Sequence, residues 1–432
     1  MVGRSVLAAV VAMVLVAPPA SAVSFDSLVS RSSFGALGNG ASLTPVLSAD
    51  GRYVVFPSEA SNLVRHDGNG VSDVFVKDRY SGSVSRVSVG ARGEEGDGAS
   101  YDPPGVSADA RYVAFLSSAT NLVPGDTNGA DDVFIKDRRT GALSVVSSAA
   151  DGSFGNAASY GSPSVSADGR FVAFRSDASN LVPGDTNKVA DVFVKDVRTG
   201  AISRVSVAAD GTQGDRLVVH GTAISANGRY VVFPSQATNL VPGDTNGSID
   251  MFVKDTVTGA IVRANTTATG EQSTSYTLMP SITADGRKVA FVAWGANLVP
   301  GDTEDTPDMF VKDMTTGAIT RVNTASDGTV AESQPYGAVI SANGQYVAFS
   351  SLASNLVRGD TNNYDDVFVR NLRTGKTKRA SVSVFGRQGD NFSVAPSLSA
   401  DGRVLAFSSY AGNLVPGDRN EAADVFVDCQ SS

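Results

Sequence analysis

The residues best suited to chemistry recur in step along the chain. Asp-x-Asn-x-x-x-Asp occurs as Asp67-Asn69-Asp73, Asp126-Asn128-Asp132, Asp185-Asn187-Asp191, Asp244-Asn246-Asp250, Asp360-Asn362-Asp366 and Asp418-Asn420-Asp424. A seventh copy, Asp302 to Asp308, has Glu304 for Asn and carries Pro307. Oxygen donors at positions 1, 3 and 7 match the first half of a calcium-binding loop, which makes these residues candidate ligands for weakly held Ca2+. The formal spacing continues to Asp78, but a strand rising ~3.3 Å per residue carries Asp78 roughly 16 Å from Asp73. Carbonyls or waters of a neighbouring loop would have to complete each site. Asp and Asn also form Asx turns, so the same motif can simply brace a loop.

Other chemistry is scarce. His66 and His220 are the only histidines, which excludes a zinc site built from histidines and an H-E-x-x-H protease. No G-x-S-x-G elbow occurs, and Arg370 stands where a P-loop ending at Gly375-Lys376-Thr377 needs its first glycine. His66 takes a turn position that is glycine in the other six copies, as an exposed loop allows. His220 precedes an inner strand and is a candidate ligand-binding residue. A variable position adds seven more candidates: Glu59, Ser118, Asp177, Gln236, Trp294, Leu352 and Tyr410, each shortly before a constant Asn-Leu-Val. The first four are polar or acidic and the last three aromatic or apolar. Such a ring suits a glycan or peptide ligand, apolar on one side and hydrogen-bonding on the other.

What positions these groups is a second phrase in phase with the first. Ser-Ala-Asp-Gly-Arg or a near copy begins at Ser48, Ser107, Ser166, Ser225, Thr283, Ser341 and Ser399, a period of 59 and then 58 residues. Each repeat holds four strand-like runs, and Tyr-Val-Val-Phe and Val-Phe-Val are apolar at consecutive positions, as strands buried on both faces are. Asp-Gly or Asn-Gly in six copies predicts a type I′ hairpin; Asp109-Ala110 breaks the pattern. Four antiparallel strands of this kind predict a β-propeller blade, and seven copies an all-β, seven-bladed propeller. Ser-Ala-Asp-Gly-Arg-Tyr-Val-Val-Phe resembles the WD40-like, TolB-type repeat over residues 45–428. The resemblance implies the fold; TolB-like propellers include binding proteins as well as carbohydrate-active enzymes. TolB itself carries an extra N-terminal α/β domain, whereas this chain enters its first repeat almost at once, so a Tol–Pal role is not the expectation.

The seventh repeat ends after Asp424-Val425-Phe426-Val427-Asp428, without a fourth run. An orphan run at about residues 26–33 is expected to complete that blade and close the ring, removing an exposed edge. Residues 1–22 read as a signal peptide: Arg4, an apolar run from Val6 to Val16, then Ala20-Ser21-Ala22. Residues 23–432 are then one domain, secreted or periplasmic, with no membrane span. The formal net charge of −9 argues against nucleic acid as a partner. Cys429 is the only cysteine, so neither an intrachain disulfide nor a lipidated cysteine after the leader is available. The leading expectation is a monomeric binding platform for a glycan, a peptide or a cell-envelope protein. The alternative is a glycosidase or polysaccharide lyase, with Glu59 and Asp177 as the first carboxylate pair to test.

Overall fold

The structure, a computed structural model, describes residues 28–295, 297–302, 306–383 and 385–430. The predicted signal peptide and Glu304 lie outside them. Seven antiparallel sheets surround a channel in the expected propeller. Blade 3 is typical, with strands Ser159–Val165, Phe171–Ser176, Asp191–Asp196 and Ile202–Arg204 from the channel outward. Its two middle strands are almost wholly buried, because adjacent blades cover both faces. Phe174 and Phe193 pair across them with ring centroids 5.8 Å apart. Burying each such side chain contributes roughly 2–3 kcal/mol. The apolar clusters lie between blades: Val55, Val74 and Val76 of blade 1 pack with Val113, Phe115 and Phe134 of blade 2.

The N-terminal segment does close the ring. Blade 7 has three strands of its own, Ser393–Leu398, Val404–Ser409 and Asp424–Cys429. Leu28 pairs with Phe426, and Val29 N donates to Val425 O at 2.7 Å. Ser30 Oγ donates to the Asp424 carboxylate. Residues 26 and 27 of the expected run lie outside the described residues.

The Ser-Ala-Asp-Gly phrase is constant for structural reasons. Ser166 Oγ donates to Asp168 at 2.7 Å and accepts from Phe171 N at 2.9 Å, which ties the hairpin to itself. The alanine then links blade to blade: Ala49 N donates to Ala108 O, Ala108 N to Ala167 O and Ala167 N to Ala226 O. Ala400 N returns to Ala49 O at 2.8 Å, completing the circle. The type I′ expectation is corrected here. Only the glycine has positive φ, and Gly169 N bonds Ser166 O, so the turn is tighter at its start and left-handed only at its end. Gly169 also needs its lack of a side chain, since a Cβ would lie 2.0 Å from the Tyr112 ring of blade 2. Ala110 adopts φ 52° in its place, a conformation costing a non-glycine residue about 1 kcal/mol.

Candidate functional site

The Asp-x-Asn-x-x-x-Asp loops lie beside the outer strand of their own blade. In blade 1, Arg86 Nη1 stands 3.1 Å from Asp67 and 2.9 Å from Asp73. Arg204 bridges Asp185 and Asp191 at 3.0 and 3.3 Å, and Arg379 bridges Asp360 and Asp366 at 3.0 Å each. Arg263 and Arg321 do the same for Asp244 with Asp250 and Asp302 with Asp308. Asn69 spends its amide on Asp73 and on Gly96 O, while its oxygen accepts from Val71 N. The loops therefore brace themselves, and in five blades a guanidinium lies between the carboxylates. Burial still pushes several of these acids upward: Asp67, Asp185 and Asp191 rise, and Asp360 rises to about 6 despite Arg379.

The constant Asn of Asn-Leu-Val holds the loop from the preceding blade. Asn62 Nδ2 donates to Leu37 O at 2.8 Å and its oxygen accepts from Asn39 N, while Leu63 is buried below. That fixes the variable position on the rim. Glu59, Ser118, Asp177, Leu352 and Tyr410 are exposed there, and Gln236 and Trp294 are half-buried. The backbone N of the variable residue donates to a carbonyl on the run leading into the inner strand in six blades: Ala41, Ala99, Ala158, Leu217, Tyr276 and Phe392. These partners form a second row that reading the variable position alone does not reveal. It too changes character, from alanine in blades 1–3 to large apolar residues later. Tyr276 stacks on Trp294 and Phe392 packs against Tyr410, each with centroids 4.4 Å apart.

The other side of the face is charged. Arg175 lies 3.8 Å from Asp177, its guanidinium 5.1 Å from the Tyr160 ring centroid, and its Nε donates to Val218 O of blade 4. Arg175 is not among the site residues expected from the sequence. Its signal was available: the matching residues are Pro57, Leu116, Pro234, Val292, Ser350 and Ser408. Tyr101 donates to Asp131, and burial followed by that bond pushes its hydroxyl upward. Burial also raises the Asp102 carboxyl, with His220 opposing it and the Gly161 backbone amide nearby. A Cβ on Gly161 would sit 3.8 Å from His220 Nδ1. His220 and Asp177 thus come into one neighbourhood with Asp102, Tyr160 and Arg175. Glu59 stays on blade 1, with blade 2 between it and Asp177.

Below this neighbourhood runs the central channel, a cavity of about 500 Å³ lined from every blade, with Pro45, Pro103, Pro163, Pro280 and Pro396 on its wall. Proline is tolerated there because the inner strand is a sheet edge with no further ladder partner. Asp102, Met279 and Ala395 have positive φ at the bulges of these strands, a local strain of about 1 kcal/mol or more each.

No family model and no curated protein matches the chain. Among solved structures, an oligogalacturonate lyase in complex with manganese shares 13% identity and a TM-score of 0.53, over 91% of this chain and 90% of that one. The β-propeller domain of the Trilobed protease from Pyrococcus furiosus shares 10% identity and a TM-score of 0.54, over 91% and 96%. TolB from Acinetobacter baumannii shares 16% identity over 78% of this chain and 62% of that one, with a TM-score of 0.42 that carries no argument. At such identities the likeness is one of fold. The chain is a seven-bladed β-propeller, and its repeat resembles the TolB-type repeat. Among the described residues, no helix is long and apolar enough to cross a membrane.

Proposed function

We propose that this protein is an exported binding propeller whose loop face holds a glycan or a peptide over the mouth of the central channel. The division of that face carries the reading. The stacks Tyr276–Trp294 and Phe392–Tyr410 stand on one side. Tyr160, Arg175 and Asp177 stand on the other, with His220 beside them. Flat rings take the apolar face of a sugar or a side chain, while the charged half orients the ligand through hydrogen bonds. The apolar-lined channel falls within the range of roughly 300–1,000 Å³ common for ligand sites. The leader read from the sequence and the acidic surface fit a protein working outside the cytoplasm, in the periplasm or beyond.

The test is a glycan and peptide screen on the full chain, followed by calorimetric titration of the best binder. Asp177→Ala and Tyr410→Ala are expected to weaken binding at least tenfold with little change in melting temperature. If both variants bind like the parent, the face is not the recognition surface. A carbohydrate-active enzyme is the second reading, favoured by the half-buried Asp102 carboxyl near His220, a pairing suited to proton transfer. Release of reducing or unsaturated sugar ends, lost in Asp102→Asn, would move the assignment to it.

A further inference from the structure

Blade 2 differs from its six companions at the carboxylate pair. Outer-strand residues Arg86, Val145 and Leu28 all pair with a third-strand phenylalanine, so they hold one equivalent position in blades 1, 2 and 7. Five blades carry arginine there, bridging the two aspartates. The residue that takes the far side of that arginine, Glu95 in blade 1 and Gln213 in blade 3, is Phe154 in blade 2. Both halves of the polar pair are therefore apolar in this blade, while Asp126 and Asp132 remain. Blade 7 also lost its arginine, but Arg31 acts on both Asp418 and Asp424 as a substitute positive charge.

Asp126 is 8% exposed, and its Oδ1 is buried without a hydrogen-bond partner. Asp132 keeps its contacts to Ser147 and Asn128 but has no cation on the side where Arg86 meets Asp73. Asp97 and Asp131 add further negative charge nearby. Leaving two carboxylates together in a shielded place without a counter-charge is costly, and a cation from solution removes that cost.

We propose that the Asp126–Asp132 pair of blade 2 binds a calcium-like divalent cation, at the position that an arginine nitrogen holds in five other blades. In blade 1 one Nη1 nitrogen lies about 3 Å from both carboxylates. An ion demanding 2.3–2.6 Å would need the two aspartates to close by about half an ångström. Among the described residues no three His, Cys, Asp or Glu side chains converge on one point, so carbonyl and water oxygens complete the shell. Few charged ligands make a weak site, with Kd of about 10⁻⁴–10⁻³ M, matched to calcium levels outside a cell. In the six other blades an arginine already acts on the carboxylates, so the proposal is confined to blade 2.

The experiment is calorimetric titration of calcium chloride into the EDTA-treated, dialysed full chain, with thermal unfolding alongside. The wild type should take up one ion and gain roughly 1–2 °C in melting temperature at tenfold excess over Kd. Asp126→Asn should show neither heat nor shift. Val145→Arg/Phe154→Gln, which restores the arrangement of the other blades, should melt higher in EDTA and ignore calcium. No calcium response in the wild type overturns the proposal, as does a response that survives Asp126→Asn.

Discussion

Blades 1 and 2 fold alike, pair their strands in the same register and hold the same loop motif, yet they solve one electrostatic problem differently. Blade 1 places Arg86 between Asp67 and Asp73 and backs it with Glu95, so every charge is covered from within the blade. Blade 2 puts Val145 and Phe154 in those places and leaves Asp126 uncovered. Burial and Asp132 push the Asp126 carboxyl up to about 6. A repeat is thus conserved as backbone, while individual blades remain free to carry site chemistry. The rim shows the same freedom, with charge concentrated near blade 3 and stacked rings on blades 5 and 7.

The largest expected effect comes from removing what blade 1 has and blade 2 lacks. Arg86→Ala should destabilise the fold by about 3–5 kcal/mol, because it strands two buried carboxylates. Val145→Ala should cost only about 1 kcal/mol. Urea unfolding of the two variants measures the difference, and equal losses would show that the arginine clamp adds nothing beyond packing.

The hairpins sharpen the contrast at a smaller scale. Gly169→Ala forces both a left-handed alanine and a clash with Tyr112, and should cost about 2 kcal/mol or more. Ala110→Gly in blade 2 relieves existing strain and should stabilise by about 0.5–1 kcal/mol. Opposite signs in thermal unfolding are the expected outcome.

Acid separates a third kind of carboxylate on the other face. The Arg52 guanidinium, at 2.7 Å, holds Asp78 down at about 2. A carboxylate with a lowered folded-state pKa contributes stability above its unfolded value near 3.8, and loses it as pH falls through about 2. Asp78→Asn should therefore melt below the wild type at neutral pH and approach it near pH 2. A constant gap across that range would show that the bond acts through shape alone. This is the smallest of the effects, since Arg52 is partly exposed and water screens the pair.

The ring, its seven blades and its closure were legible in the sequence because a blade is a local object. Asp168-Gly169, Phe174 and Phe193 lie within one repeat, and the missing fourth run after Val427 announces its own replacement. The arginine clamp was equally local, but only to a reader who aligned Arg86, Arg204, Arg263, Arg321 and Arg379 with the loops and noticed Val145. The meeting of Asp102, Gly161 and His220 was not legible. Those residues come from three successive blades, and bulged inner strands decide which of them reach the channel mouth. The turn type escaped for a subtler reason: Asp-Gly is compatible with more than one hairpin, and the Ser166 hydroxyl selects among them.

A chain of near-identical units has an assembly problem, because any blade can offer its edge to the wrong neighbour. Most junctions are fastened by a cation reaching back to carbonyls of the preceding blade. Lys136 reaches Val89 and Gly90, Lys195 reaches Ser148 and Ala149, Lys254 reaches Val207 and Ala208, and Arg370 reaches Thr324 and Ala325. In blade 7 the corresponding residue is Asp428, with Lys378 of blade 6 acting on it, so the polarity of that junction is reversed. A reversed charge repels the wrong strand and accepts the right one. The final blade is therefore marked as the last piece, and the circle has one defined place at which to shut.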